Sequence, residues 1–373
     1  MIIMTINERI RAVLAGKPVD RLPIRPHRID PLKKQYTHPS YDRLVELVKE
    51  KCDPIHEIAP YGAATVWMFG KAQMESASFR DESGIDRTTV KFNTPGGPFS
   101  YEYACRPGNM SAKTKRVIET DADFERWVNA DIGPVAEPDP EVIQTEIRRC
   151  GQDSIVMLPV ASPAGAVADY MLGSEEMAIW SITRPEDIFA LVEPIFKRTM
   201  RYIEQVLEAA KPHPIIVWLG ECEMVAPPLL SPEWFRRLVV PYDGEIIKMV
   251  HAFGSQAIVH CHGKQKQILD HLADTGTDGL HPLETLPIGD ITLREGKERI
   301  GDRMTIIGTV QYDDIARAPH DKFRKIVEEV VAEGTPRGRF ILSTTASPYE
   351  SVLTDHMFEN YRTLIEIGRG WKG

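Results

Sequence analysis

From about residue 150 onward, short apolar runs alternate with amphipathic stretches, and this alternation constrains the possible folds more than any other feature. The runs are Ser154–Pro159, Ile215–Leu219, Ala257–His260, Gly279–Leu283, Thr305–Val310 and Phe340–Ser343. Helical signals mostly separate them. Ser231 and Pro232 supply an N-cap and a first-turn proline for one helix. A second is predicted over Lys264–Gly276, with Ile268, Leu269 and Leu272 as its buried stripe, and a third over Asp321–Glu333, closed by Gly334. Strands separated by helices make βα units, and such units build a parallel sheet. Two earlier segments add strands. Arg21–Arg28 contains prolines that forbid a helix, and Pro54–Ala59 follows a helix predicted over Tyr41–Lys51. Eight βα units in 373 residues predict a (β/α)8 TIM barrel, read as a single domain over residues 1–373. A doubly wound sheet is the other arrangement, but no GxGxxG follows any strand, and there is no Walker loop.

The N-terminal region reads as a helix with legible ends. Thr5 and Glu8 form a capping box, Ile6, Ile10, Val13 and Leu14 share a face, and Gly16 can end the helix. The region near residues 70–120 differs in character. Thr88–Phe92 and Phe99–Tyr103 are β-branched and aromatic, and Thr94–Pro98 is a turn between them, so a β-hairpin insertion is predicted.

Composition removes several function classes. With 45 Lys and Arg against 54 Asp and Glu, the net charge of −9 argues against a nucleic-acid binder. Apolar runs such as Pro214–Leu219 fall far short of the ~20 residues a membrane helix needs. The first residues lack the basic and apolar regions of a secretion signal. Cys52, Cys105, Cys150, Cys222 and Cys261 are odd in number and widely spaced, which favours a reducing, cytoplasmic setting over a disulfide framework.

Barrel active sites lie at the C-terminal ends of the strands, and there the polar residues concentrate. They include Arg25, His27 and Arg28 after strand one, Glu221 and Glu223 after strand four, and His260 and His262 after strand five. His281 and Glu284 follow strand six, and Ser343-Thr-Thr345 strand eight. In an extended chain, residues two apart share a face, so His260 and His262 point the same way. Two imidazoles at a strand end suit zinc, with a carboxylate from Glu221 or Glu223 as third ligand and one position open. Cys222 and Cys261 offer thiolate as a softer choice, although strand alternation turns each away from its flanking pair. Ordinary roles stand beside these. The histidines could contact substrate by hydrogen bonds, and Glu221 and Glu223 could be solvated loop charges. His281 could simply end a strand, Glu284 could pair an arginine, and the arginine cluster could brace the barrel wall or hold an anion. Cys52, Cys105 and Cys150 read as packing or surface residues.

Several stretches resemble the uroporphyrinogen decarboxylase superfamily. They are Asn7-Glu-Arg with Ala12–Ile24, Pro228–Tyr242, Val259-His-Cys-His-Gly263 with Gly276–Glu284, Ile306–Val310 and Glu359–Ile365. The resemblance runs nearly end to end and implies a (β/α)8 barrel. The cofactor-free decarboxylases of the superfamily carry Met-Arg-Gln-Ala-Gly-Arg and Phe-Ser-Asp stretches. Here those places read Ile24-Arg-Pro-His-Arg-Ile-Asp30 and Glu57-Ile-Ala-Pro-Tyr-Gly62, which argues against uroporphyrinogen decarboxylation. The other branch contains zinc methyltransferases with a His-x-Cys-Gly motif and a distant cysteine near the last strand. His260 matches the first ligand, His262 stands in the cysteine's place, and Ile341–Pro348 holds no cysteine. The pattern is therefore closest to members that demethylate methoxylated aromatics, methylamines or similar small donors.

The resemblance implies a zinc-dependent methyltransferase passing a methyl group to a corrinoid on a partner protein, and a homodimer is common in the family. Glu221, His260 and His262 are the expected metal ligands, Glu223, His281 and Glu284 the expected catalytic groups, and Arg25, His27 and Arg28 the expected substrate contacts. The alternatives are a metal-free decarboxylase or lyase, with Arg25 and Arg28 gripping a small carboxylated substrate, and a non-enzymatic binding protein.

Overall fold

In the computed structural model, residues 3–34, 36, 38–60, 73–105 and 112–371 are described. The barrel strands are β1 (Ile24–Arg25), β2 (His56–Glu57), β7 (Val156–Ala161), β8 (Ile216–Gly220), β9 (Gln256–His260), β10 (Gly279–His281), β11 (Thr305–Val310) and β12 (Phe340–Thr344). Between β2 and β7 come β3 (Gln73–Arg80), β4 (Asp86–Thr94), β5 (Gly97–Cys105) and β6 (Ala112–Lys115). The eight barrel strands form one all-parallel sheet in the order β1-β12-β11-β10-β9-β8-β7-β2, the cyclic order of a (β/α)8 barrel.

The remaining seam, between β1 and β2, is bridged by Asp53. Its N–H donates to Ile24 O at 2.7 Å, and its Oδ2 accepts from Ile24 N at 2.9 Å. The same fully buried carboxylate takes Nη1 of Arg9 at 2.7 Å and Nη1 of Arg21 at 2.6 Å. Two guanidinium partners and a backbone N–H offset the cost of placing this charge in the interior.

Period-two alternation separates two cores. Inside the barrel lie Ile55, Ile155, Met157, Ile216, Trp218, Ile258, Ile307 and Ile341. Helix α1 (Ile6–Leu14) packs Ile10, Val13 and Leu14 against this inner core, and its Thr5–Glu8 capping box is formed as expected. The opposite strand faces pack against the surrounding helices in a second, larger core. Two residues beyond the inner isoleucines stand Glu57, His260, Thr309 and Ser343, so the inward face turns polar towards the C-terminal ends.

The expected hairpin is present, with Thr94 opposite Gly97, but it is the centre of a larger unit. Strands β3 and β6 flank it to make a four-stranded antiparallel sheet. Parts of the 70–120 region lie outside the described residues. The Lys264–Gly276 helix is shorter than expected, covering only Leu269–Asp274. The buried amide of Gln265 donates to the carbonyls of Cys261 and Pro282, which ties the preceding turn to two strand ends instead. Among the described residues, no helix is long and apolar enough to cross a membrane.

Candidate functional site

A cavity of about 580 Å³ opens at the C-terminal ends of the barrel strands. Its wall includes His27, Arg28, Glu221, Glu223, His260 and His262, six of the nine residues singled out from the sequence. Trp218, Tyr170 and Tyr349 add aromatic surface.

The strand β8 segment does not continue its alternation. Glu221 adopts φ 68°, a left-handed conformation, and Cys222–Val225 forms a 3₁₀ turn. This bend brings both glutamates to the cavity and folds Cys222 behind them. Glu221 Oε2 and Glu223 Oε2 are buried and without a hydrogen-bond partner among the described residues. Their surroundings differ. Burial, then the Asp169 charge, pushes Glu221 up to about 8, and Lys113 partly offsets this. Burial also raises Glu223, offset in part by a hydrogen bond from its own backbone N–H and then by the His262 charge. The His262 charge thus acts on Glu223, whereas the charges of the Lys113–Asp169 ion pair act on Glu221.

His260 and His262 stand with ring centroids 4.6 Å apart and planes at 89°. Each is tied back through Nδ1. His260 Nδ1 lies 3.0 Å from His281 Nδ1, and His262 Nδ1 lies 3.2 Å from Glu284 Oε1. Burial pushes His260 well below the ordinary imidazole range, with nearby His262, Arg28 and Arg25 adding to it. For His262, burial acts in the same sense, but the Glu284 hydrogen bond and charge prevail and raise it.

His281 and Glu284 do not line the cavity; they form a row behind the two histidines. His281 is fully buried, with Nε2 3.1 Å from Thr344 O, and Glu284 Oε2 also accepts from Gly263 N at 2.6 Å. The β9–β10 register sets His281 against the back of His260, so neither of these expected catalytic groups lines the cavity wall. Arg25 is likewise 2% exposed and outside the cavity wall. Its Nη1 donates to His27 Nδ1 at 3.3 Å, and its guanidinium lies 5.4 Å from the centre of the Trp218 ring. Burial lowers it to about 10. Its cation disfavours charge on His27, His260 and His281 alike. Of the arginine cluster, only Arg28 faces the cavity, while also donating to Glu57 at 3.1 Å.

Cys222 and Cys261 converge instead of facing away from the site. With Glu223 they offer three ligand atoms within 4.8 Å of one another. Both thiols are fully buried, and the Cys261 hydrogen bond, then burial, pushes Cys222 well above the usual thiol range. Sequence reasoning passed over Trp218, Tyr170 and Tyr349. A tryptophan within an aliphatic parallel strand, two residues before the strand-end glycine, was the available signal for Trp218.

The family model described as Uroporphyrinogen decarboxylase (URO-D) matches residues 105–371, most of the chain. The chain belongs to the uroporphyrinogen decarboxylase family. Among curated relatives, a methylcobamide:CoM methyltransferase, MtaA, from Methanosarcina barkeri is 25% identical over 340 residues, covering 88% of this chain and 89% of the relative. Another MtaA, from M. barkeri strain Fusaro, is 21% identical over the same shares. A methyltransferase from Methanosarcina mazei shares the fold, with a TM-score of 0.63 at 16% identity over 98% of both chains.

Proposed function

We propose that the protein is a zinc-dependent methyltransferase that moves a methyl group from a small donor to a corrinoid carried by a partner protein. The observation that carries this reading is the inner wall of the cavity. Two imidazoles have their Nδ1 atoms tied back, leaving Nε2 of each without a partner among the described residues, and the same cavity is lined by Glu221 and Glu223, whose buried Oε2 atoms also lack one. Imidazole and carboxylate are donors that zinc takes, and its histidine ligands characteristically hold an acceptor on the second nitrogen. Among the described residues the trio already within 4.8 Å is Cys222, Glu223 and Cys261, so His260 and His262 would have to close on the ion. His260, His262 and Glu223 would hold the ion, Glu223 taking the place of the expected Glu221 because its charge and that of His262 interact.

Zinc at that position supplies Lewis acidity to the heteroatom that loses the methyl group. Trp218 and Tyr170 offer flat apolar faces to a donor ring, and Arg28 sits where it can meet a polar substituent. The cavity volume suits a small donor, a methoxylated aromatic or a methylamine. The similarity of the MtaA relatives supports corrinoid chemistry. The replacement of the motif cysteine by His262 favours a donor other than a coenzyme thiol.

Metal analysis of wild type against His260→Ala/His262→Ala, with methyl transfer to Co(I) cobalamin as second readout, tests this. About one zinc per chain, absent from the double variant, is the expected result. Glu223→Gln is expected to lose zinc and Glu221→Gln to retain it. A wild-type protein without zinc after purification free of chelators, and without transfer from any such donor, overturns the reading.

A further inference from the structure

His281 does not line the cavity, yet it is fully buried against both His27 and His260, with ring centroids 4.2 Å and 5.1 Å away. We propose that His281 is a positioning residue that locks His260 in the Nδ1–H tautomer and so aims an Nε2 lone pair into the cavity. This rests on reading His260 as a metal ligand.

The chain of hydrogen bonds permits one assignment for neutral rings. Thr344 O can only accept, so His281 Nε2, 3.1 Å away, carries the hydrogen. A neutral imidazole with Nε2–H keeps its lone pair on Nδ1. His260 Nδ1, 3.0 Å from that atom, must then be the donor. The lone pair of His260 is left on Nε2.

The fold holds the relay rigid from several directions. Strands β9 and β10 pair with His260 directly opposite His281, and Cys261 N donates to His281 O at 2.9 Å. Thr344 acts twice, because its Oγ1 also accepts from His27 N at 3.0 Å and thereby seats the ring stacked on His281. Histidine ligands commonly give their second N–H to a carboxylate or a backbone carbonyl. Here the carbonyl acts through an intervening imidazole, so the orientation of His260 is set by a strand three places round the barrel.

The test uses metal-free protein labelled with [15N]histidine, read by two-bond 1H–15N correlation near neutral pH, with zinc affinity measured by chelator competition. Wild type is expected to show His260 as the Nδ1–H tautomer and His281 as Nε2–H. His281→Phe keeps a ring in the stack but removes the acceptor. It is expected to release His260 from the Nδ1–H form and to weaken zinc binding about 10–100-fold. His281→Asn, whose Oδ1 can take the place of Nδ1, is expected to restore both readouts. A wild-type His260 in the Nε2–H form overturns the proposal, as does a folded His281→Phe that keeps the wild-type tautomer and zinc affinity. A wild type with the expected tautomers but no zinc binding overturns the metal reading on which the proposal rests, and leaves the hydrogen-bond assignment standing.

Discussion

Glu221 is held in a conformation that residues with a side chain seldom adopt, and its neighbour Gly165 shows what holds it there. A Cβ on Gly165 would lie 2.3 Å from the Glu221 carbonyl oxygen and 2.6 Å from its carbon, both backbone atoms. Only a glycine allows the short helix Pro163–Ala166 to press against the left-handed turn that presents both glutamates. Gly165→Ala is therefore expected to cost about 1–3 kcal/mol in urea unfolding, the usual range for overpacking, and to weaken zinc binding by moving the Glu221–Glu223 turn. Unchanged zinc affinity together with unchanged stability would show that the contact is looser than the structure describes. The same turn changes how the two carboxylates are presented. An i, i+2 pair shares a face only while the strand continues, and this strand stops at Gly220.

At the scale of elements, the junction of β1, β2 and α1 is held by ions in place of a strand ladder. Asp53→Asn leaves Arg9 and Arg21 facing a neutral group in a buried seam, at an expected cost of about 3–5 kcal/mol measured by urea unfolding. A cost near zero would show that the backbone bond from Asp53 N to Ile24 O closes the seam by itself. Arg9 also holds Asp20 at 2.6 Å. Burial opposes that carboxylate's charge, but the Arg9 hydrogen bond prevails and lowers it from 3.8 to about 2. A folded-state value below the unfolded one stabilises the fold above about pH 4, and that contribution is lost as pH falls towards 2. Asp20→Asn is expected to be less stable at neutral pH and to lose less stability than wild type across that window. Parallel acid titrations by circular dichroism check this, and identical slopes would remove Asp20 from the acid response. The elements themselves were largely readable. The α1 capping box, the Ser231 N-cap and the Thr94–Gly97 hairpin rest on neighbouring residues, and each formed where expected. The outer strands β3 and β6 and the shortened helix at Leu269 were not readable, since each depends on partners distant in sequence.

Across the whole molecule, stability and chemistry occupy opposite ends of the barrel, as the fold class favours. Ile10 is fully buried in the inner core at the end away from the cavity. Ile10→Ala is expected to cost about 2–5 kcal/mol in urea unfolding, while folded protein keeps the wild-type zinc stoichiometry. A loss of zinc without loss of stability would contradict this separation. Eight parallel strands, their order and the end at which polar residues gather follow from local periodicity and from the limited ways βα units can pack, so the chain by itself determined them. The arrangement of the site was decided only by the tertiary structure. How Glu221 and Glu223 reach the cavity, that His281 and Glu284 stand behind the histidines, and that Arg25 lies beneath the cavity wall all depend on cross-strand register and on one left-handed turn. Those are relations between segments tens of residues apart, and no local pattern of side chains encodes them.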